Sequence, residues 1–134
     1  DFCLSRGLGD VYKRQGILAN YAQIPDMLEQ LCKETNEKLG NVHDILTVKL
    51  AADFHYRFMH IKPFEAGNIT VGLLMMNYIQ MMFREPLIII PGEDKAKYLA
   101  AIKMQKDTPT PETFERFVGE ELLSQLRKEV TPRK

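Results

Sequence analysis

The feature that most constrains the fold is an uncharged, apolar segment between residues 69 and 83. Its aliphatic and methionine side chains stand at positions 69, 71, 73, 74, 75, 76, 79, 81 and 82, on every side of a helical projection. Such a helix needs to be surrounded by apolar material. Because the segment is shorter than the roughly 20 residues of a membrane span and contains Asn77 and Gln80, the sequence predicts the central, buried helix of a bundle.

Four other segments show the periodicity of helices. Pro25 suits a first helical turn, and an apolar stripe follows it. Asn41 is expected to cap a second helix, which Pro63 ends because its ring clashes with the preceding turn. The last two helices are predicted from about residue 93 to 104 and from residue 111, where Thr-Pro supplies the cap and first position.

The predicted fold class is all-α, a helical bundle with a central buried helix and at most a short β element. That element is residues 87–90, a short extended stretch between two prolines. A chain of 134 residues with 45% hydrophobic content encloses one core. Residues 1–15 lack periodicity, and residues 10–15 resemble a translated transposon end. We therefore expect residues 1–15 to be a non-native leader and residues 16–134 to be a partial domain.

Composition excludes several kinds of partner. Eighteen basic residues balance eighteen acidic ones, so no nucleic-acid groove or anionic membrane surface is expected as a partner. No apolar run has the length of a membrane span. Cys3 and Cys32 are too few for a disulfide framework, which fits a reducing compartment, and the expected location is cytoplasmic.

The loop that leads into the apolar helix is the candidate site. Residues 63–68 read Pro-Phe-Glu-Ala-Gly-Asn, the composition of a tight turn. Gly67 and Asn68 would place unpaired backbone N–H groups at the positive end of the helix dipole, an arrangement that attracts anions. A Gly-Asn pair more often only caps a helix, so the loop by itself does not establish a ligand site.

The wider context of this loop resembles a known family. Residues 51–68 read AADFHYRFMHIKPFEAGN, and residues 72–78 read GLLMMNY. They resemble the Fic (Fido, Fic/DOC) family, whose motif is His-x-Phe-x-(Asp/Glu)-Gly-Asn-Gly-Arg-x-x-Arg, and the likeness extends over roughly residues 21–130. The resemblance implies a Fic-type helical bundle and a nucleotidyltransferase that moves AMP from ATP, with Mg²⁺, to a hydroxyl side chain of a target protein.

Carried over position by position, the resemblance is partial. Phe64, Gly67 and Asn68 match the nucleotide-binding positions of the motif. Lys62 stands at the position of the histidine that acts as general base, and Ala66 stands at the position of the acidic residue that holds Mg²⁺. A lysine side chain is protonated at neutral pH, and losing a general base typically costs about 10² to 10⁴ in rate. Ala66 has no metal-ligating atom.

The remaining motif positions have also changed. Ile69 replaces the second glycine, and Thr70 and Leu73 replace the two arginines that neutralise phosphate charge. Electrostatic clamping of the phosphates is the main requirement of such a transfer. The resemblance therefore implies a catalytically degenerate protein, a pseudoenzyme with a residual turn for binding a nucleotide or phosphate.

Two other interpretations stay open. The chain could be an active nucleotidyl or phosphoryl transferase that uses Lys62, His60 and Glu65 in altered roles, with His60 reaching the base position if the loop contained an insertion. It could also be a structural or interaction domain without a site. Self-association into a homo-oligomer is compatible with either interpretation.

Overall fold

The computed structural model describes residues 21–41, 46–103 and 111–130. In chain order the elements are a 3₁₀ turn at Tyr21–Gln23, α1 at Ile24–Leu39, α2 at Thr47–Ile61, α3 at Asn68–Met82, a 3₁₀ turn at Gly92–Asp94, α4 at Lys95–Ile102 and α5 at Pro111–Val130. The predicted all-α class is confirmed. The predicted leader, residues 1–15, and the predicted cap at Thr110 lie outside the described residues.

The central helix is α2, not the helix that the sequence predicted for that place. Over half of α2 is buried, and it packs against α1, α3 and α5. Ala51 and Ala52 are fully buried on it, and side chains this small let neighbouring helices approach closely. In α3, which is apolar on all sides, only Gly72, Met76, Ile79 and Gln80 are buried. The apolar composition of α3 therefore exceeds what its position in the bundle requires.

The start of α2 also differs from the prediction. Asn41 does not cap this helix, because α2 begins at Thr47 after Leu46 in extended conformation. The Asn41 side chain instead donates from Nδ2 to the carbonyl of Glu37, 3.4 Å away, at the end of α1. It satisfies one of the terminal carbonyl groups that every helix leaves open.

The predicted extended stretch at residues 87–90 is not a strand. Its backbone is instead held by side-chain amides, with Ile88 N–H donating to Asn77 Oδ1 (2.8 Å) and Asn77 Nδ2 donating to Ile88 O (3.1 Å). Gln80 Nε2 donates to Pro86 O. Gln125 of α5 donates from Nε2 to Leu87 O and accepts at Oε1 from Ile89 N–H. These bonds explain why the largely apolar α3 carries the amides of Asn77 and Gln80, since buried backbone groups need partners.

An aromatic cluster joins α2, α4 and α5. Phe114 is fully buried, and its ring centroid lies 5.4 Å from that of His55 and 6.1 Å from that of Tyr98. A hydrogen bond of 2.5 Å joins His55 Nε2 and the Tyr98 hydroxyl. His55 is thus a core residue with a polar partner. The cluster fixes the helix that leads into the candidate loop.

No helix within the described ranges combines the length and the apolarity that a membrane crossing requires.

Candidate functional site

The candidate loop connects the end of α2 to the start of α3. Lys62 adopts left-handed backbone angles (φ 51°, ψ 62°), and its N–H donates to Phe58 O at 3.1 Å. This conformation ends the helix and turns the chain sharply, as residues just after a helix often do. The buried Pro63 follows and cannot continue the helix. The chain therefore leaves the core at a fixed direction before residues 64–67.

Asn68 closes this loop with its side chain. Its Oδ1 accepts a hydrogen bond from the N–H of Phe64 (2.9 Å), and its Nδ2 donates to the carbonyl of the same residue (2.7 Å). The sequence predicted that Asn68 would cap α3. Instead Gly67 precedes the helix and Asn68 is its first residue, so the amide is engaged with the loop rather than with the helix N–H groups.

The tip of the loop faces solvent. Glu65, Ala66 and Gly67 are exposed, so the loop is not sealed under neighbouring helices. Gly67 has a φ of 84°, and a Cβ built on it would meet no atom within 4 Å. The first backbone bond of α3 runs from Val71 N–H to Gly67 O at 3.0 Å. The N–H groups of the preceding helical residues have no acceptor within the helix, as at every helix start.

The predicted binding and catalytic positions divide between surface and core. Lys62 is exposed at the beginning of the loop, and Ala66 is exposed at its tip. Phe64 is half-buried, with its ring centroid 6.5 Å from that of Phe58. Phe64 therefore anchors the loop to α2. Lys62 and Ala66 therefore lie at the surface of the loop rather than in the core.

The positions of the missing glycine and arginines lie on the first turns of α3. Thr70 is exposed, whereas Ile69 and Leu73 are half-buried and pack against the hydrophobic core. Ile69 and Leu73 thus contribute apolar contact area in this chain. The structure supplies no fixed side-chain cation from these positions, and phosphate recognition at the start of α3 would rest on backbone N–H groups.

His60 belongs to a different surface from the loop. Its Nδ1 donates to the carbonyl of Tyr56 at 2.8 Å, and the two rings lie 4.2 Å apart. Since a carbonyl only accepts, Nδ1 is the donor in this bond. His60 lines a cavity of about 370 Å³ between α1 and α2, to which none of residues 62–68 contributes. Residue 60 stays helical, so the structure does not bring His60 to the base position.

A pair of carboxyl groups, Asp53 of α2 and Glu115 of α5, lies close together without any signal in the local sequence. Burial and the neighbouring Asp53 carboxylate together raise the pKa of Glu115 to about 7. One oxygen of Asp53 is buried without a hydrogen-bond partner among the described residues. The two acids are 62 positions apart in the sequence, so no local pattern indicates their approach.

The loop does not fit a protein-held Mg²⁺. Magnesium prefers carboxylate ligands, and residues 62–68 contain a single one, the exposed Glu65. Across the part of the chain that the structure describes, no group of three or more His, Cys, Asp or Glu side chains is arranged to hold a metal ion.

Comparison with known proteins defines the family. The family model of the Fic/DOC family matches residues 7–80, more than half of the chain, through α1, α2, the candidate loop and most of α3. The chain therefore belongs to the Fic/DOC family. The match begins inside the first fifteen residues, and the domain boundary at residue 15 stays a prediction.

Curated relatives carry the name protein adenylyltransferase Fic. The protein of Drosophila erecta is 31% identical over 85 residues, which are 63% of this chain and 16% of the relative. The protein of Drosophila melanogaster is 34% identical over 73 residues, which are 54% of this chain and 15% of the relative. The chain thus spans about one sixth of the length of these relatives. No solved structure matches the chain.

Proposed function

We propose that this chain is a Fic-type domain related to protein adenylyltransferases. It binds the phosphate groups of a nucleotide at residues 64–70 but does not transfer AMP. The observation that carries the proposal is the exposed turn, which Asn68 closes by hydrogen bonds to both the N–H and the carbonyl of Phe64. This side chain holds the loop in one conformation, with the start of α3 open to solvent. The family match covers the same residues.

Binding would depend on backbone groups rather than on side-chain cations. The positive end of the α3 dipole and the N–H groups of its first turn favour an anion. Gly67 at the tip lacks a side chain that would shield them. Without the two arginines of the motif, each phosphate charge is only partly neutralised. We expect weak binding of ATP, with a Kd in the millimolar range.

The proposed lack of transfer follows from the side chains at the motif positions. Lys62 is exposed, and the ammonium group of a lysine has no lone pair to accept a proton from an incoming hydroxyl group. The His60 side chain donates to the Tyr56 carbonyl and lines a cavity between α1 and α2 to which the loop does not contribute. Thr70 and Leu73 provide no charge to stabilise the transition state. Both general-base help and electrostatic stabilisation are therefore absent from the loop itself.

Titration calorimetry with ATP tests the binding step. The natural chain should release or absorb measurable heat at millimolar ATP, and Asn68→Ala should abolish it because the loop loses both of its hydrogen bonds to Phe64. Asn36→Ala, at an exposed position of α1, is the matched control and should bind like the natural chain. No heat with the natural chain, while circular dichroism shows it folded, would favour a purely structural domain.

Incubation with labelled ATP and Mg²⁺ tests the transfer step. Neither the chain nor added protein substrates should acquire label. Label that appears with the natural chain and disappears in Lys62→Ala or in His60→Ala would establish the active-transferase alternative and identify the base. In that case the target would be a protein hydroxyl group, as in an adenylyltransferase.

A variant in which most of the motif is restored tests whether the scaffold can still support the transfer of AMP. A variant with Lys62→His, Ala66→Asp, Ile69→Gly and Thr70→Arg replaces exposed or half-buried side chains only. Histidine also tolerates the left-handed backbone of residue 62 better than most residues do. Label transfer by this variant, and not by the natural chain, would show that the turn is preserved and that only the reactive side chains are missing.

A further inference from the structure

Two carboxylic acids meet where α2 packs against α5. On α2, Asp53 directly precedes Phe54, which is 2% exposed. On α5, Glu115 directly follows Phe114, which is fully buried and whose ring centroid lies 6.1 Å from that of Tyr56. Both acids are half-buried, and their side chains lie within hydrogen-bonding distance of each other. The packing of the neighbouring aromatic rings therefore keeps the two carboxyl groups together.

The Asp53 carboxylate lacks the donors that a buried anion needs. Its Oδ1 is shielded from solvent, and no N–H or O–H group of the described residues donates to it while Glu115 is ionised. An ionised carboxylate only accepts hydrogen bonds, whereas a protonated carboxyl group also donates one. A proton on Glu115 therefore supplies a donor to the Asp53 carboxylate. It also removes the repulsion between two like charges at short distance.

The basic side chains that face the pair do not replace this proton. Lys49 of α2 and Lys38 of α1 both favour an ionised Glu115. Both lysines are exposed, and neither forms a salt bridge with Asp53 or Glu115. Water and salt screen exposed charges of this kind. Burial and the Asp53 carboxylate therefore outweigh the two lysines, and they hold the pKa of Glu115 at about 7.

We propose that Asp53 and Glu115 share one proton and form a pH-sensitive contact between α2 and α5, which weakens when this proton is released to solvent. While the proton is bound, the Glu115 O–H donates to the Asp53 carboxylate across the helix contact. After its release, two carboxylates face each other at the same place and repel. Helix α2 leads into the candidate loop, so the proton acts on the helix that positions the loop. The contact uses none of residues 62–70 and does not depend on the nucleotide proposal.

Nuclear magnetic resonance tests whether the proton is shared. In the natural chain, isotope-labelled at the glutamate carboxyl carbons, the Glu115 signal should titrate with a midpoint near pH 7. Glu115→Gln identifies this signal by removing it. In Asp53→Asn the midpoint should move down toward the ordinary 4.5, because the neighbouring negative charge is gone. Asp26→Asn, at an exposed position of α1, is the matched control and should leave the midpoint unchanged. A midpoint near 4.5 in the natural chain, or one that Asp53→Asn does not move, would overturn the proposal.

The pH dependence of the contact has a defined sign. The pKa of Glu115 in the folded chain lies above its ordinary value of 4.5, so the folded state holds the proton more tightly than the unfolded state does. The resulting stabilisation is complete below pH 4.5 and is lost as the pH rises through about 7.

Thermal denaturation at pH 6.5 and at pH 8 tests the contact itself. The natural chain should lose several degrees in melting temperature between these pH values, relative to Glu115→Gln. The reason is that the glutamine amide keeps an N–H donor toward Asp53 at both pH values. Both proteins contain His55, so its contribution cancels in the comparison. Glu112→Gln, at an exposed position of the same helix, should behave like the natural chain. Equal losses in the natural chain and in Glu115→Gln would contradict the pH-sensitive contact.

Discussion

The aromatic cluster around Phe114 contacts the middle of the central helix α2, at His55 and Tyr56, and the loop at residues 62–68 follows the end of the same helix. The two regions differ in what their sequences retain. In the cluster, ring contacts tie α2, α4 and α5 together, and the only histidine in it has a hydrogen-bond partner. In the loop, the turn is held by Asn68, while the positions that would perform chemistry carry Lys62 and Ala66. The scaffold is intact where the reactive groups are replaced.

This difference shows that fold and reactivity depend on different residues of the family motif. Phe64, Asn68 and the buried Pro63 shape the turn through packing and hydrogen bonds, and all three are present. Of the changed positions, Lys62, Ala66 and Thr70 are exposed, whereas Ile69 and Leu73 are half-buried and pack against the core. Under the proposed function, the turn keeps the shape of a nucleotide site without the side chains that perform the transfer.

The largest expected effect is at the cluster. Phe114→Ala removes a fully buried ring and should lower the free energy of unfolding by about 4 kcal/mol, since the space that it leaves cannot close completely. Leu123→Ala on the same helix is the matched control, because Leu123 is 54% exposed, and it should change stability by less than about 1 kcal/mol. Urea denaturation measures both. A small effect of Phe114→Ala would contradict the view that the aromatic cluster stabilises the fold more than the loop does.

Acid should destabilise the cluster through His55. Burial lowers the pKa of His55 from its ordinary 6.5 to about 4, so the unfolded chain binds this proton more tightly than the folded one. The contribution of His55 to stability is complete above pH 6.5 and falls as the pH falls. The loss reaches about 3 kcal/mol near pH 4.

Two variants isolate the contribution of His55 to the free energy of unfolding, which denaturation curves measure between pH 4 and 7. His55→Phe should lose it, whereas His60→Gln, at an exposed position, should keep it. Glu115 acts in the opposite sense, because its raised pKa makes the folded state hold a proton that the unfolded state releases as the pH rises from about 4.5 to 7. Because both proteins contain Glu115, its contribution cancels when the unfolding free energy of the variant is subtracted from that of the natural chain at each pH. Parallel curves for His55→Phe and the natural chain would exclude His55 as the source.

A smaller effect is expected at the loop. Asn68→Ala removes two hydrogen bonds at a half-buried position and should cost about 1 to 2 kcal/mol. Asn68→Asp keeps the acceptor for Phe64 N–H and loses the donor, so its cost should be intermediate. Thermal denaturation distinguishes the three proteins. Equal stability of Asn68→Ala and the natural chain would mean that the side chain does not hold the loop.

The smallest expected effect concerns the tip of the loop. Gly67→Ala places a Cβ at a φ of 84°, where the surrounding space is open, so only the backbone strain of about 1 kcal/mol is expected. Gly67→Asn should cost less, because asparagine adopts left-handed angles more readily. A cost well above 1 kcal/mol for Gly67→Ala would indicate that the loop packs more tightly than its exposure suggests.

Local patterns in the sequence predicted the helices better than the contacts between them. Helical periodicity located the five helices of the described residues, because burial of one face repeats every three to four residues. Periodicity could not predict which helix is the most buried. Helix α3 has more apolar residues than α2 and is nevertheless the more exposed of the two. Periodicity also could not show that Asn77 and Gln125 hold residues 87–89, because that requires two helices to flank the segment.

By itself, the sequence determined the helical class, the position of the loop and the absence of the reactive side chains from the Fic motif, because these depend on residue identity and short-range spacing. Only the tertiary structure decided that Asn68 closes the loop, that His60 faces away from it and that one side of α3 is uncovered. Each of these depends on the directions in which helices and side chains point, and direction is set by long-range packing rather than by neighbours in the chain.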